Sequence, residues 1–230
     1  MGSSRLPGKV LQDIGGSTAL HHVLRRCRQI PGADVVICAV PDEPESAPLQ
    51  AVADECGASI FRGSEKDVLA RYFEAAQSSG AQTVMRVTSD CPLIDPEVCG
   101  EVLDLRDRES ADYAANNTPR TYPHGLDCEV FTFKALAEAA AKATEPFDRE
   151  HVTPWLRRAP HLKRANLSSG QPGLAAHRWT LDYPEDLAFF RAVFDALPAG
   201  SRARMTEVLA MLAKRPEIAA INAARSLERA

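Results

Sequence analysis

Between Ser17 and Arg108 the chain alternates strictly between apolar runs and amphipathic stretches, and no other feature narrows the fold as much. Asp34-Val-Val-Ile-Cys-Ala-Val40 is nearly all apolar and rich in β-branched residues, as expected of a strand covered on both faces. Ala58–Phe61 and Thr83–Thr88 read as further strands. Helical patterns separate them. Ser17–Ile30 puts Leu20, Val23, Leu24 and Cys27 on one face, with Ser17 or Thr18 as its cap. A second helix runs to about Cys56 and stops at Gly57. A third opens at Ser64-x-x-Asp67, which resembles a capping box, and ends at Gly80. Asp95 caps a fourth, with Pro96 in its first turn. Such alternation predicts an α/β fold with a doubly wound, mostly parallel sheet.

The remainder is less regular. Asp112–Ala114 reads as a short strand, and Asn116–His124 as a polar loop. Cys128–Phe133 alternates like an exposed-edge or mixed strand. Asp148–Arg158 reads as one helix kinked at Pro154, and Leu162–Leu167 and His177–Leu181 as strands. Pro184 starts a long helix, and two more helices follow, separated near Pro216. With no linker or repeat in 230 residues, the expectation is one domain, 1–230, in which residues 110–180 form a substrate or dimerisation lobe.

Bulk properties exclude several classes. A net charge of -4 argues against non-specific nucleic-acid binding, so a phosphate ligand needs a local site. No apolar run approaches the length of about 18 residues needed to span a bilayer. The six cysteines form no C-x-x-C and read as reduced thiols of a cytoplasmic protein.

Four stretches carry candidate chemistry. Met1-Gly-Ser-Ser-Arg-Leu-Pro-Gly-Lys9 combines small residues with Arg5 and Lys9, the makings of a phosphate cradle, although its first four residues also read as a tag. Such a loop is ordinarily fed by a strand. None precedes it here, so the sequence reads as a fold lacking its first strand, which would lie mid-sheet, with a late start preferred over a different fold. Next, Asp90 follows the strand ending at Thr88 and Asp182 follows His177–Leu181. At the carboxyl ends of strands, two carboxylates could share one divalent cation, or each could cap a turn. Asp95 reads as a helix cap, and Asp186 as a surface residue or as compensation of a helix dipole at its N-terminus. Lastly, His124, Asp127, Glu129 and His151 crowd the irregular lobe, where they would contact a hydroxylated substrate or simply be solvated. The spacing from Gly2 to Lys9 does not fit G-x-x-x-x-G-K-[ST], which disfavours an ATPase.

Six segments stand in the order and spacing of one family: residues 1–11, 61–72 (Phe-Arg-Gly-Ser-Glu-Lys-Asp-Val-Leu-Ala-Arg-Tyr), 86–95 (Arg-Val-Thr-Ser-Asp-Cys-Pro-Leu-Ile-Asp), 125–131 (Gly-Leu-Asp-Cys-Glu-Val-Phe), 149–154 (Arg-Glu-His-Val-Thr-Pro) and 179–187 (Trp-Thr-Leu-Asp-Tyr-Pro-Glu-Asp-Leu). The chain resembles the cytidylyltransferases that activate acylneuraminate and Kdo, most of all the spore coat polysaccharide biosynthesis protein F branch. That resemblance implies a nucleotide-diphospho-sugar transferase fold of the glycosyltransferase A type, a homodimer, and use of CTP and Mg²⁺ to make a CMP-linked sugar. It implies that Gly2, Ser3, Arg5 and Lys9 hold the triphosphate, with Arg5 and Lys9 catalytic. Asp90 and Asp182 would bind Mg²⁺, and Arg62, Arg86 and Thr88 would lie near base and ribose. Gly125, Asp127, Glu129 and His151 would face the sugar. The family carries a strand ending in Gln-Ala-Arg ahead of the loop, and Ser89 stands where it usually has Gly. Two other functions stay open at this point: a glycosyltransferase, against which the lack of D-x-D at Asp90-Cys-Pro counts, and a non-catalytic nucleotide-binding homologue.

Overall fold

In the computed structural model, residues 5–198 and 201–225 are described; Gly2 and Ser3 lie outside them. After a short 3-10 turn at Lys9–Leu11 comes a hairpin of β1 (Asp13–Ile14) and β2 (Ser17–Thr18). Helix α1 (Ala19–Cys27) begins where Thr18 accepts the His21 N–H, and it buries Leu20, Val23, Leu24 and Cys27 as expected. The alternation then continues through β3 (Ile37–Pro41), α2 (Ala47–Glu55), β4 (Ser59–Gly63), α3 (Val68–Ser79), β5 (Thr83–Arg86) and α4 (Pro96–Glu109). Gly57 and Gly80 follow α2 and α3 with φ of 64° and 69°, the left-handed conformation that ends a helix. One cap differs from expectation. Asp67, not Ser64, caps α3 by accepting the Ala70 N–H, while the Ser64 hydroxyl accepts the Asp67 N–H.

The rest comprises β6 (Tyr113–Ala115), β7 (Glu129–Thr132), α5 (Phe133–Lys142), α6 (Pro146–His151), α7 (Pro154–Arg158), β8 (Arg164–Asn166), α8 (Pro184–Ala196), α9 (Met205–Lys214) and α10 (Pro216–Ala220). Parallel pairing joins β3 to β4 and β6 to β8, consistent with the doubly wound fold. β7 runs antiparallel between β5 and β6. Of the two readings of residues 128–133, the mixed strand holds and the exposed edge does not: Glu129, Val130 and Phe131 are buried, because β7 is paired on both sides in a sheet with parallel and antiparallel pairs. Residues 148–158 are two helices, since Val152 at φ 71° breaks the ladder before Pro154 starts again. Residues 177–181 are extended but contribute only a single bridge, His124 to Arg178.

Helices cover both faces of the β5-β7-β6-β8 sheet. Ile30, Ile94, Cys99 and Val102 pack on one side with Cys128 and Val130; Leu69, Leu136 and Leu156 pack on the other with Phe131 and Tyr113. Side chains alternate along β7, so neighbours Val130 and Phe131 enter opposite layers. The six cysteines are free, and all but Cys38 are buried. The sheet system is nonetheless interrupted: β3 and β5 are not hydrogen-bonded to each other, and between them lies a cavity of about 350 Å³. Asp90 follows β5 at the carboxyl end of this layer.

Candidate active site

Asp90 and Asp182 come from distant parts of the chain and are fastened by backbone. The Leu181 N–H donates to the Asp90 carbonyl at 2.8 Å, which sets the two carboxylates side by side. Lys9 Nζ then donates to both, at 2.9 Å to Asp90 Oδ2 and 3.0 Å to Asp182 Oδ1. Arg5 reaches the same Asp182 oxygen at 3.2 Å, donates to the Tyr183 hydroxyl and lies over the Tyr183 ring. The predicted loop cations and the predicted carboxylates therefore form one cluster.

Its electrostatics follow from burial opposed by charge. Burial alone would raise the Asp90 carboxyl, but Lys9 and the Thr88 hydroxyl outweigh it and hold the group below its ordinary value. Asp182 behaves alike: burial works against ionisation, and Lys9, Arg5 and Arg178 overcome it. Reciprocally, burial disfavours the Lys9 ammonium, and the two carboxylates more than restore it. Both aspartates stay ionised, and one ammonium nitrogen occupies the place between them.

Behind Asp182 stands a support that sequence reading missed. Arg178, 4% exposed, donates to Asp182 Oδ2 at 3.0 Å and forks onto Asp186 through Nε and Nη2, both at 2.9 Å. Of the two expectations for Asp186, a surface residue or one serving the N-terminus of the helix, the first fails: it is 0% exposed, in the first turn of α8. Its Oδ2 accepts the backbone N–H groups of Asp182 and Tyr183, capping α8, and its Oδ1 accepts from Asn222. Spacing held a usable signal, for Arg178, Asp182 and Asp186 recur every fourth residue around the turn into α8. A carboxylate at the third helical position that also takes a buried arginine is structural in a way that dipole compensation is not.

The lobe residues divide. Asp127 lies beside Arg120 at 3.2 Å and accepts the Gly125 N–H at 3.3 Å; burial raises its carboxyl above the ordinary value despite Arg120. Gly125 adopts φ 113°, and a Cβ there would sit 1.9 Å from the Trp179 carbonyl oxygen. The glycine is thus required by the close passage of residues 124 and 179, whose backbones are bonded. Glu129 is 1% exposed. Its oxygens accept from Arg86 at 2.8 Å, the Tyr113 hydroxyl at 2.5 Å and Arg157 Nη2 at 2.6 Å. With both oxygens so engaged, Glu129 can act on a substrate only through the arginines it holds, which revises its expected direct contact. Thr88 contacts Cys91 and supports Asp90. Arg62 is exposed on the outer strand β4, and His151 is exposed on α6 against Phe147, so neither joins this network.

The donor set suits a hard divalent cation. Two carboxylate oxygens converge on one cationic seat, and Mg²⁺ is commonly held by one or two carboxylates plus phosphate oxygens and water. Among the described residues no cluster of three metal-ligating side chains occurs, so a nucleotide's own phosphates would complete the shell.

Comparison with known proteins agrees with the geometry. Spore coat polysaccharide biosynthesis protein SpsF of Bacillus subtilis is 29% identical over 95% of this chain and 93% of its own. The 3-deoxy-manno-octulosonate cytidylyltransferase of Idiomarina loihiensis is 30% identical over 66% of this chain and 62% of its own. A solved cytidylyltransferase from Leptospira borgpetersenii superposes with a TM-score of 0.88 at 27% identity, covering 95% of this chain and 92% of that one. The family model described as cytidylyltransferase matches residues 1–188, a span that holds Arg5, Lys9, Asp90, Asp127, Asp182 and Asp186. The chain belongs to the cytidylyltransferase family and is a nucleotidyltransferase.

Proposed function

We propose that this protein transfers CMP from CTP to a hydroxyl of a sugar or sugar acid, releasing pyrophosphate, in the assembly of a surface polysaccharide or glycoconjugate. The observation that carries the reading is the pair Asp90 and Asp182 gathered on Lys9 beside Arg5. Relatives named for spore coat polysaccharide and for 3-deoxy-manno-octulosonate support the acceptor class.

The acceptor hydroxyl oxygen forms a bond to the α-phosphorus of CTP while the bond from that phosphorus to the bridging oxygen of pyrophosphate breaks; the hydroxyl proton passes to solvent. Negative charge builds on phosphate oxygens, so positive groups fixed in advance lower the barrier. Lys9 and Arg5 turn from the aspartates to the triphosphate as it enters. Asp90 and Asp182 would hold Mg²⁺, which when bound neutralises phosphate charge. Arg178 and Asp186 keep Asp182 aimed throughout. Arg86 lies toward the nucleoside, and Asp127 with Arg120 toward the acceptor. The reading includes a cytoplasmic homodimer joined through the 110–180 lobe, where Phe147 is exposed. Among the described residues no helix is long and apolar enough to cross a membrane.

The test is pyrophosphate release from CTP with Mg²⁺ across a panel of sugars and sugar acids. Release that requires both CTP and one acceptor is the expected result. No release from any acceptor, together with no CTP binding by calorimetry, would overturn the proposal.

A further inference from the structure

One aromatic ring beside Asp182 gathers positive charge from three parts of the chain. The guanidinium carbons of Arg225, Arg5 and Arg178 lie 4.3, 4.8 and 5.6 Å from the centroid of Tyr183. A guanidinium near an aromatic face is held by the ring's quadrupole. Arg178 is buried and bonded to Asp182 and Asp186, so its place is fixed. Arg5 and Arg225 are part-exposed. Their guanidinium carbons are no farther apart than their two distances to the ring combined. That is a gap across which one chain of phosphates can accept from both.

The tail of the protein delivers Arg225 to this place. The Asn222 side chain donates to the Arg178 carbonyl at 3.0 Å and to Asp186 Oδ1 at 2.9 Å. Its backbone carbonyl accepts the Arg225 N–H at 3.0 Å. The turn that carries Arg225 is thus pinned to the residues that aim Asp182. Arg225 also donates to Glu185 Oε1 at 3.1 Å. An exposed ion pair of this kind contributes little, so a better-placed anion can draw the guanidinium away from Glu185. Arg225 lies beyond residues 1–188, the span of the family match.

Charge balance gives the ligand class. At rest Lys9, Arg5, Arg178 and Arg225 face Asp90, Asp182, Asp186 and Glu185, one for one. A divalent cation seated on the two aspartates would leave positive charge in excess, and a polyanion offsets it. The contacts run from Asp90 and Asp182 through Arg5 and Tyr183 to Arg225, so Arg225 lies at the end away from the carboxylate pair. We propose that Arg225 is a further phosphate-binding residue of this site, which with Arg5 grips the β- and γ-phosphates of the nucleoside triphosphate, the part that leaves as pyrophosphate. Arginine suits the task, because its planar fork meets phosphate oxygens two at a time. The inference rests on the reading of a triphosphate donor at Asp90 and Asp182.

Calorimetry on the full chain with Mg²⁺ tests this, with CTP, CMP and inorganic pyrophosphate as probes. Arg225→Ala should weaken CTP and pyrophosphate by roughly tenfold each and leave CMP, which lacks the outer phosphates, unchanged. Arg225→Lys should recover part of the loss. Glu185→Gln, which removes the competing carboxylate, should tighten CTP by roughly threefold, and only while Arg225 is present. Wild-type affinity for CTP and pyrophosphate in Arg225→Ala would overturn the proposal. An equal loss for CMP would do the same, because it marks a structural fault. If Arg225→Ala does not fold, Glu185→Gln decides, and unchanged CTP affinity there refutes the assignment. The two readings also separate. A wild type that takes another nucleoside triphosphate in place of CTP, with the tenfold loss in Arg225→Ala, would sink cytidylyl transfer and uphold Arg225. A wild type that binds neither triphosphate nor pyrophosphate would sink both.

Discussion

Two buried carboxylate clusters differ in who supplies the positive charge. Around Glu129, Arg86 comes from β5, Arg157 from α7 and Tyr113 from β6, all within packed elements. Around Asp182, Arg178 is equally fixed, but Lys9 and Arg5 come from the loop ahead of α1, and the Arg5 side chain is 42% exposed. In the first cluster every partner sits on a helix or strand, and the contacts tie those elements together. In the second, part of the neutralising charge can leave when a better-placed polyanion and cation arrive. A buried ion pair is weak evidence for stability; here the same chemistry serves architecture in one place and exchange in the other.

The contrast can be broken by substitution. Asp182→Ala should lower turnover most, by roughly 10²–10³-fold in pyrophosphate release, with the thermal midpoint moved only a few degrees, because Arg178 retains Asp186. Wild-type turnover in that variant would remove Asp182 from the site. Lys9→Ala should lower kcat/KM by roughly 10²-fold, since it takes charge from the transition state. Glu129→Gln should do the reverse: a loss of about 3 kcal/mol in urea unfolding, because it takes the buried carboxylate from Arg86 and from the part-exposed Arg157, while Mg²⁺ still raises the melting temperature. Mg²⁺ should have no such effect on Asp182→Ala, and EDTA should reverse it in the wild type. Arg5→Lys should be the mildest, within about tenfold in kcat/KM, as an exposed pair contributes little.

Acidity sharpens the comparison further. Asp90 and Asp182 titrate below the ordinary aspartate value of 3.8, so their contribution to stability is complete above that pH and is lost as pH falls through their folded values. Asp127, raised by burial, has the opposite sign: it favours the fold when protonated, and that contribution fades as pH rises through its folded value. Melting temperature followed from pH 2 to pH 6 should rise less steeply in Asp90→Asn than in wild type, a prediction that equal slopes would refute.

Much of this was readable from residues. Period and β-branching placed β3, β4, β5 and the early helices, because strands covered on both faces leave a continuous apolar run that little else produces. That Asp90 and Asp182 could share a site was legible as one alternative from their places at strand ends; their meeting on Lys9 was not, since nothing local tells which strand ends adjoin. Whether β7 lay at an edge or inside a mixed sheet stayed open for a related reason. Cys128–Phe133 contains Glu129, whose charge reads as solvent-facing, yet Arg86 and Arg157 neutralise it in the interior. The surface reading of Asp186 failed likewise, its partners lying at Arg178 and Asn222. Buried charge hides from pattern because its partner is elsewhere in the chain. The break at Val152 needed backbone geometry that a Pro two residues later only hinted at.

Asn222 carries one more consequence. Its amide donates to the carbonyl of Arg178 and to Asp186, the residues that orient Asp182. The stretch after α10 therefore braces the residues that orient the Asp182 carboxylate. Shortening the protein from that side would loosen the seat of the catalytic charge before it disturbed the sheet, and drift in this tail would be registered first as imprecise chemistry.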